Sequence, residues 1–160
     1  MVAGPDCRYS ERQRFNPSLF VLIGILILIS INLPRAFEPD SLSASWSLLA
    51  ATTIVFWRYC YLDTVVDSSG VHIRFRPFHM SVQHFTFHQI VNAEPASYRP
   101  IREYGGWGIK WVRNGKAYTV RGNKGVMLNL SNGKNLLIGS ARPSELAIAI
   151  QTGMLSVTEE

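Results

Sequence analysis

The stretch Leu19-Phe20-Val21-Leu22-Ile23-Gly24-Ile25-Leu26-Ile27-Leu28-Ile29-Ser30-Ile31-Asn32-Leu33 constrains this chain most, because no side chain from Phe15 to Pro34 carries a charge. That is about the length a helix needs to cross a hydrocarbon core. Twelve residues of the stretch are Leu, Ile, Val or Phe. On an insertion scale they contribute roughly −4 to −7 kcal/mol before Gly24, Ser30 and Asn32 take some back. A membrane span is therefore expected over 19–33. A secretory signal is the competing reading, but Pro34-Arg35-Ala36 offers no small-x-small cleavage pattern, and a second hydrophobic segment follows.

That segment runs from Leu42 to Tyr61, after a turn holding Pro34 and Pro39, which suit no helix interior. Ser43, Ser47, Ala50 and Ile54 fall on one helical face, where small residues let two helices approach closely. Trp57, Arg58, Tyr59 and Tyr61 make an interfacial pattern, the aromatic rings at headgroup depth and the arginine reaching for phosphates. Arg8, Arg12 and Arg14 precede the first span, Arg35 alone lies between the spans, and Arg58 closes the second. Positive charge stays on the cytoplasmic side. The expectation is an integral protein of the cytoplasmic (plasma) membrane with both termini in the cytoplasm. Residues 1–18 form a tail and 19–61 a transmembrane hairpin with helices at 19–33 and 42–61. Cys7 and Cys60 read as neither a disulfide framework nor a metal clip.

From Leu62 the texture changes to short alternating runs. Val71-His72-Ile73-Arg74-Phe75-Arg76 alternates apolar and polar residues, as a strand with one buried face does. Asn114-Gly115 and Asn132-Gly133 each sit between such runs, the strongest short signal for a hairpin. At Pro143 the period becomes helical, with Leu146, Ile150 and Met154 on one face and Glu145 near the positive helix start. About seven strands and a terminal helix describe a small antiparallel β-barrel over 62–154, capped by that helix, with 155–160 as a tail. Eleven Lys or Arg against seven Asp or Glu from Leu62 onward leave +4. This mild excess suits a domain beside anionic lipid heads and carries no argument for nucleic acid.

Tyr104, Gly105, Gly106, Trp107 and Gly108, then Gly122 with Gly125-Val126, then Gly139-Ser140, Pro143 and Glu145-Leu146 form an ordered series. The series resembles small, uncharacterised prokaryotic membrane proteins in which two helices precede a bacterial pleckstrin-homology-like (PH-like) domain. The resemblance covers residues 62–154 and implies a PH-like split barrel with a capping helix in an α+β chain. It implies no activity, since the fold is a scaffold for many ligands.

The chemistry-bearing residues point to binding rather than catalysis. His72, His79, His84 and His88 cluster in sequence, but no cysteine or carboxylate nearer than Glu94 completes a metal set among them. Ser140 lacks the glycine-flanked elbow of a hydrolase nucleophile. Tyr104-Gly105-Gly106-Trp107-Gly108 has no Lys-Ser/Thr after it and leads into a strand, so it is no phosphate loop. Arg74 and Arg76, with His72 in line, share one strand face and could grip an anion. PH domains that hold inositol phosphates use basic residues in that region, although Asp63 and Asp67 stand where a lysine would precede the turn. No catalytic residue, cofactor or metal is expected. The expected function is a membrane-anchored, non-enzymatic PH-like scaffold on the cytoplasmic face. Its partners would be the bilayer, another membrane protein or anionic headgroups, and not nucleic acid. The alternatives are an accessory subunit of a transporter or membrane enzyme, docking through the second helix, and a membrane-bound hydrolase or metalloenzyme.

Overall fold

The computed structural model describes residues 7–15, 18, 21–22, 24–26, 29, 48, 51–52, 54–55, 58–78 and 81–158. The chain divides into two compact units, residues 1–13 with 61–160, and residues 14–60. In the second, described positions such as Val21, Leu26, Leu48 and Ile54 are helical, and their side chains are exposed.

The first unit is built mainly of strands, some alternating by the period-2 rule and others, such as β2, buried along consecutive positions. Nine strands are described: β1 Tyr9–Arg14, β2 Tyr61–Asp67, β3 Gly70–Arg76, β4 Gln83–Phe85, β5 Ile90–Ser97, β6 Gly108–Val112, β7 Gly115–Thr119, β8 Lys124–Leu130 and β9 Asn135–Gly139. Two helices join them, α1 Pro100–Tyr104 and α2 Pro143–Thr158. The strands form one sheet of four, ordered β1-β2-β3-β4, and one of five, ordered β5-β8-β9-β7-β6. In β3 the alternation is complete: Val71, Ile73 and Phe75 are fully buried, while His72, Arg74 and Arg76 are half-buried on the opposite face. Antiparallel register sets Arg76 against Tyr61, Arg74 against Asp63 and His72 against Val65.

In the five-stranded sheet Val126 faces Ile138 and Leu128 faces Leu136 across β8 and β9, all buried. The other face carries a smaller cluster, in which Tyr98, Ala117 and Leu137 pack with Ala96, Tyr104 and Met127. Strand β7 runs parallel to β9, so the two hairpins lie side by side. That approach is tight. A Cβ on Gly115 would stand 1.7 Å from the Asn135 carbonyl oxygen, and its φ of +156° lies outside ordinary L-residue space. The turn itself falls on Arg113-Asn114, with Val112 paired to Gly115. The expected Asn-Gly turn is thus displaced by one residue, and among the described residues no non-glycine residue takes a positive φ. Helix α2 packs across both sheets and buries Leu146, Ala147 and Ile150. It runs on past Gly153, where an added Cβ would meet the Phe87 ring at 2.1 Å.

Four expectations are corrected. Among the described residues no helix is long and apolar enough to cross a membrane, which overturns the transmembrane hairpin and the integral-membrane location with cytoplasmic termini. Much of 19–33 and 42–61, including the docking positions Ser43, Ser47 and Ala50, lies outside the described residues. The described chain opens on a strand, not on a tail feeding a helix. The arginine count that set the orientation treated Arg12 as a loose leader charge, whereas it is bonded into a sheet. The barrel is also overturned, because β4 pairs with β3 and β5 with β8. Between β4 and β5 the 3-10 turn Phe87–Gln89 carries the chain from one sheet to the other.

Candidate functional site

Strand β1 sorts its side chains onto two faces, and each face builds a polar site. Arg12 donates twice to Asp63, Nε to Oδ1 at 2.6 Å and Nη2 to Oδ2 at 2.9 Å. Its guanidinium lies 4.5 Å from the centre of the Tyr61 ring. Arg12 therefore shares a face with Tyr61, Asp63, His72, Arg74 and Arg76. Asp63 is buried, and its two bonds hold the Arg12 guanidinium above its usual range. Arg74 stands across from that carboxylate, yet its Nε is buried without a hydrogen-bond partner. Among the described residues neither Arg74 nor Arg76 is in an ion pair.

Two histidines extend this face. His84 of β4 is the cross-strand neighbour of His72, and the rings stack with centroids 4.4 Å apart. His72 Nε2 lies 2.9 Å from Asp67 Oδ2 and 3.0 Å from the Ser69 hydroxyl. Burial raises the Asp67 carboxyl, but hydrogen bonds from Ser69 and His72 outweigh it and hold the group below its usual range. No catalytic relay results. A relay needs the carboxylate on one ring nitrogen and the hydroxyl on the other, whereas here both face Nε2. Among the described residues no three metal-ligating side chains are placed to hold an ion. His88 is exposed in the 3-10 turn and His79 lies outside the described residues.

The other face of β1 turns inward and is polar. Glu11 accepts four hydrogen bonds, two at each oxygen. Ser140 Oγ (2.6 Å) and the Tyr9 hydroxyl donate to Oε2, while Gln13 Nε2 (2.8 Å) and the Ala141 amide (2.9 Å) donate to Oε1. Burial pushes this carboxyl up, but the four donors outweigh it and leave it below its usual range. Burial also pushes Tyr9 up to about 12, with Glu11 adding to it. Gln13 is 3% exposed. Its Nε2 also donates to the Gly139 carbonyl at 3.0 Å, and its Oε1 has no partner. Beside Gln13 opens a cavity of about 190 Å³ lined by Arg121, Gly122, Asn123, Lys124, Ser140 and Ala141.

The motif residues scatter around this second site. Trp107 Nε1 donates to the Gly122 carbonyl at 2.9 Å, and the Tyr104 ring meets Tyr98 edge-on at 5.8 Å. Gly105 closes α1 in a left-handed conformation, Gly106 donates to the Pro100 carbonyl and Gly108 opens β6. Gly139 supplies the carbonyl that Gln13 bonds. Of the expected membrane-interface residues, Tyr61 lies in β2 beneath Arg12, Arg58 and Tyr59 are exposed and helical, and Trp57 lies outside the described residues. Sequence reasoning missed Glu11 and Gln13. The only sequence signal was the spacing Tyr9-x-Glu11-x-Gln13, one strand face of hydrogen-bonding groups.

What the fold and these sites define is an α+β chain of two sheets with a polar anchor at the start of its last helix. No family model matches the chain, and no curated protein matches it. The resemblance to PH-like prokaryotic membrane proteins is corrected accordingly: its motif residues serve loop closure and a polar anchor, without a barrel and without a spanning helix among the described residues.

Proposed function

We propose that this chain is a non-enzymatic binding module that grips an anionic, phosphate-type group on the outer face of its four-stranded sheet, through Arg74 and Arg76 with His72 beside them. One observation carries the reading. Arg74 lies opposite a carboxylate that Arg12 already holds with both forks, so its buried Nε is left without an acceptor. A buried donor with no acceptor costs free energy until a ligand supplies one. Residues two apart on a strand stand roughly 7 Å from each other on the same face. Two guanidinium forks at that spacing can close on one phosphate.

The hydroxyls support binding over catalysis. The Ser140 proton is committed to Glu11, and Ser69 Oγ donates to Asp67 at 2.6 Å, so neither is poised beside a free base. Isothermal titration of the full chain with inositol trisphosphate, a soluble multiply phosphorylated probe, tests the reading. Binding should weaken at least tenfold in Arg74→Ala/Arg76→Ala and fall as salt rises. Equal binding by the double variant, or none by the parent chain, would refute it.

A further inference from the structure

We infer that the cavity beside Gln13 is a second, separate site, for a small oxyanion that brings its own hydroxyl, of which monohydrogen phosphate is the simplest. The lining combines two chemistries that few ligands satisfy together. Arg121 and Lys124 stand at the cavity, and among the described residues neither is in an ion pair. They call for negative charge. Gln13 calls for the opposite, a donor.

The orientation of the Gln13 amide is settled by its partners. Its NH₂ faces two acceptors, Glu11 Oε1 and the Gly139 carbonyl, so the oxygen takes the other side, where it is buried and unpaired. Donation to an ionised carboxylate polarises the amide and strengthens its oxygen as an acceptor. Glu11 itself offers nothing further to a ligand, because both its oxygens are taken twice. Its charge does disfavour an anion with no proton to present toward that side. The cavity, at about 190 Å³, exceeds the roughly 30 Å³ share of one water several-fold, which is room for a five-atom oxyanion or a two-carbon hydroxy acid.

The ligand class makes a sharp prediction without any substitution. Sulfate has the shape and charge of monohydrogen phosphate but no O–H, so it sets a bare oxygen against the Gln13 carbonyl. A site built to bond a hydroxyl rejects the analogue that lacks it. The amide resonances of residues 121–124 and 139–141 should be followed by NMR during titration of the full chain with phosphate, sulfate, hydroxyacetate and acetate. Phosphate should bind at least tenfold more tightly than sulfate, or hydroxyacetate more tightly than acetate. Discrimination within either pair supports the site and tells an inorganic from an organic source. Discrimination within neither pair, or no shift at those amides, overturns it. Arg121→Ala/Lys124→Ala should abolish the shifts, and retained binding there would also overturn it. Arg74→Ala/Arg76→Ala should leave them intact, so this site stands or falls independently of the outer face.

Discussion

Strand β1 holds two carboxylates by opposite means. On its outer side Asp63 is neutralised by one guanidinium; on its inner side Glu11 is held by four neutral donors. The outer pair is an ion pair with one partner 44% exposed, so solvent and salt screen it. The inner one is a half-buried hydrogen-bond network between β1 and the start of α2, in which several donors lose one shared acceptor if the carboxylate is removed. The contrast predicts that the fold tolerates loss of the Arg12 charge better than loss of the four-donor arrangement at Glu11.

The largest test of that contrast is Glu11→Ala. It removes the shared acceptor of the Ser140 and Tyr9 hydroxyls, one Gln13 N–H and the Ala141 amide together, and should cost about 3–5 kcal/mol in denaturant unfolding. A loss under about 1 kcal/mol would mean the donors find other acceptors and the contrast is false. Next, Arg12→Ala should cost only about 1–2 kcal/mol, since the guanidinium is partly exposed and Arg74 stands across from Asp63 ready to replace it. The same cycle sharpens the point. Arg12→Ala/Arg74→Ala should cost more than the sum of its parts, because only then does Asp63 lose every cation.

Acid comes third, because protonation keeps part of the network that deletion removes. The Glu11 carboxyl lies below its ordinary 4.5, so its contribution is complete above that pH and vanishes as pH falls through the lowered value. Asp67 has the same sign. Tyr9 behaves oppositely. Raised from 10.0 to about 12, it contributes fully below pH 10 and loses its contribution as pH rises toward 12. Stability measured from pH 3 to pH 12 should therefore fall at both ends, and Glu11→Gln should flatten the Glu11 part of the acid limb. The smallest effect is that of salt. Raising sodium chloride from about 0.1 M to about 1 M should cost the parent chain a few tenths of a kcal/mol and Arg12→Ala less, because the exposed pair is the screened one.

Much of the first unit could be read from residues alone. Val71 to Arg76 shows its alternation openly, the hairpins lie at or beside their Asn-Gly pairs, and Pro143 marks the start of α2. Strand β1 could not be read, for a specific reason: its inward residues after Tyr9 are Glu11 and Gln13, which hydrophobic patterning assigns to solvent. They are inside because Ser140 and Ala141, some 130 positions away, bring donors to them. The neighbouring position of His84 and His72 was hidden likewise, since β4 is only three residues long and its register is set by β3. Over 19–33 the sum of residue hydropathies described composition, and composition alone did not deliver a spanning helix among the described residues. The resemblance failed at the same level, because glycines and aromatics in order specify local turns before they specify how sheets close.

The separation between Glu11 and Ser140 has a consequence for birth as well as for stability. A ribosome releases the amino end first, and roughly 7 to 25 seconds pass at ordinary elongation rates before the next 129 residues are joined. Through that interval the acidic hook has no eye to fasten into, so the opening strand waits unlatched while the rest condenses. Ser140 and Ala141, just ahead of α2, complete the latch, and a nascent polypeptide stalled short of residue 140 should remain open to proteases at Tyr9 however well its sheets have formed.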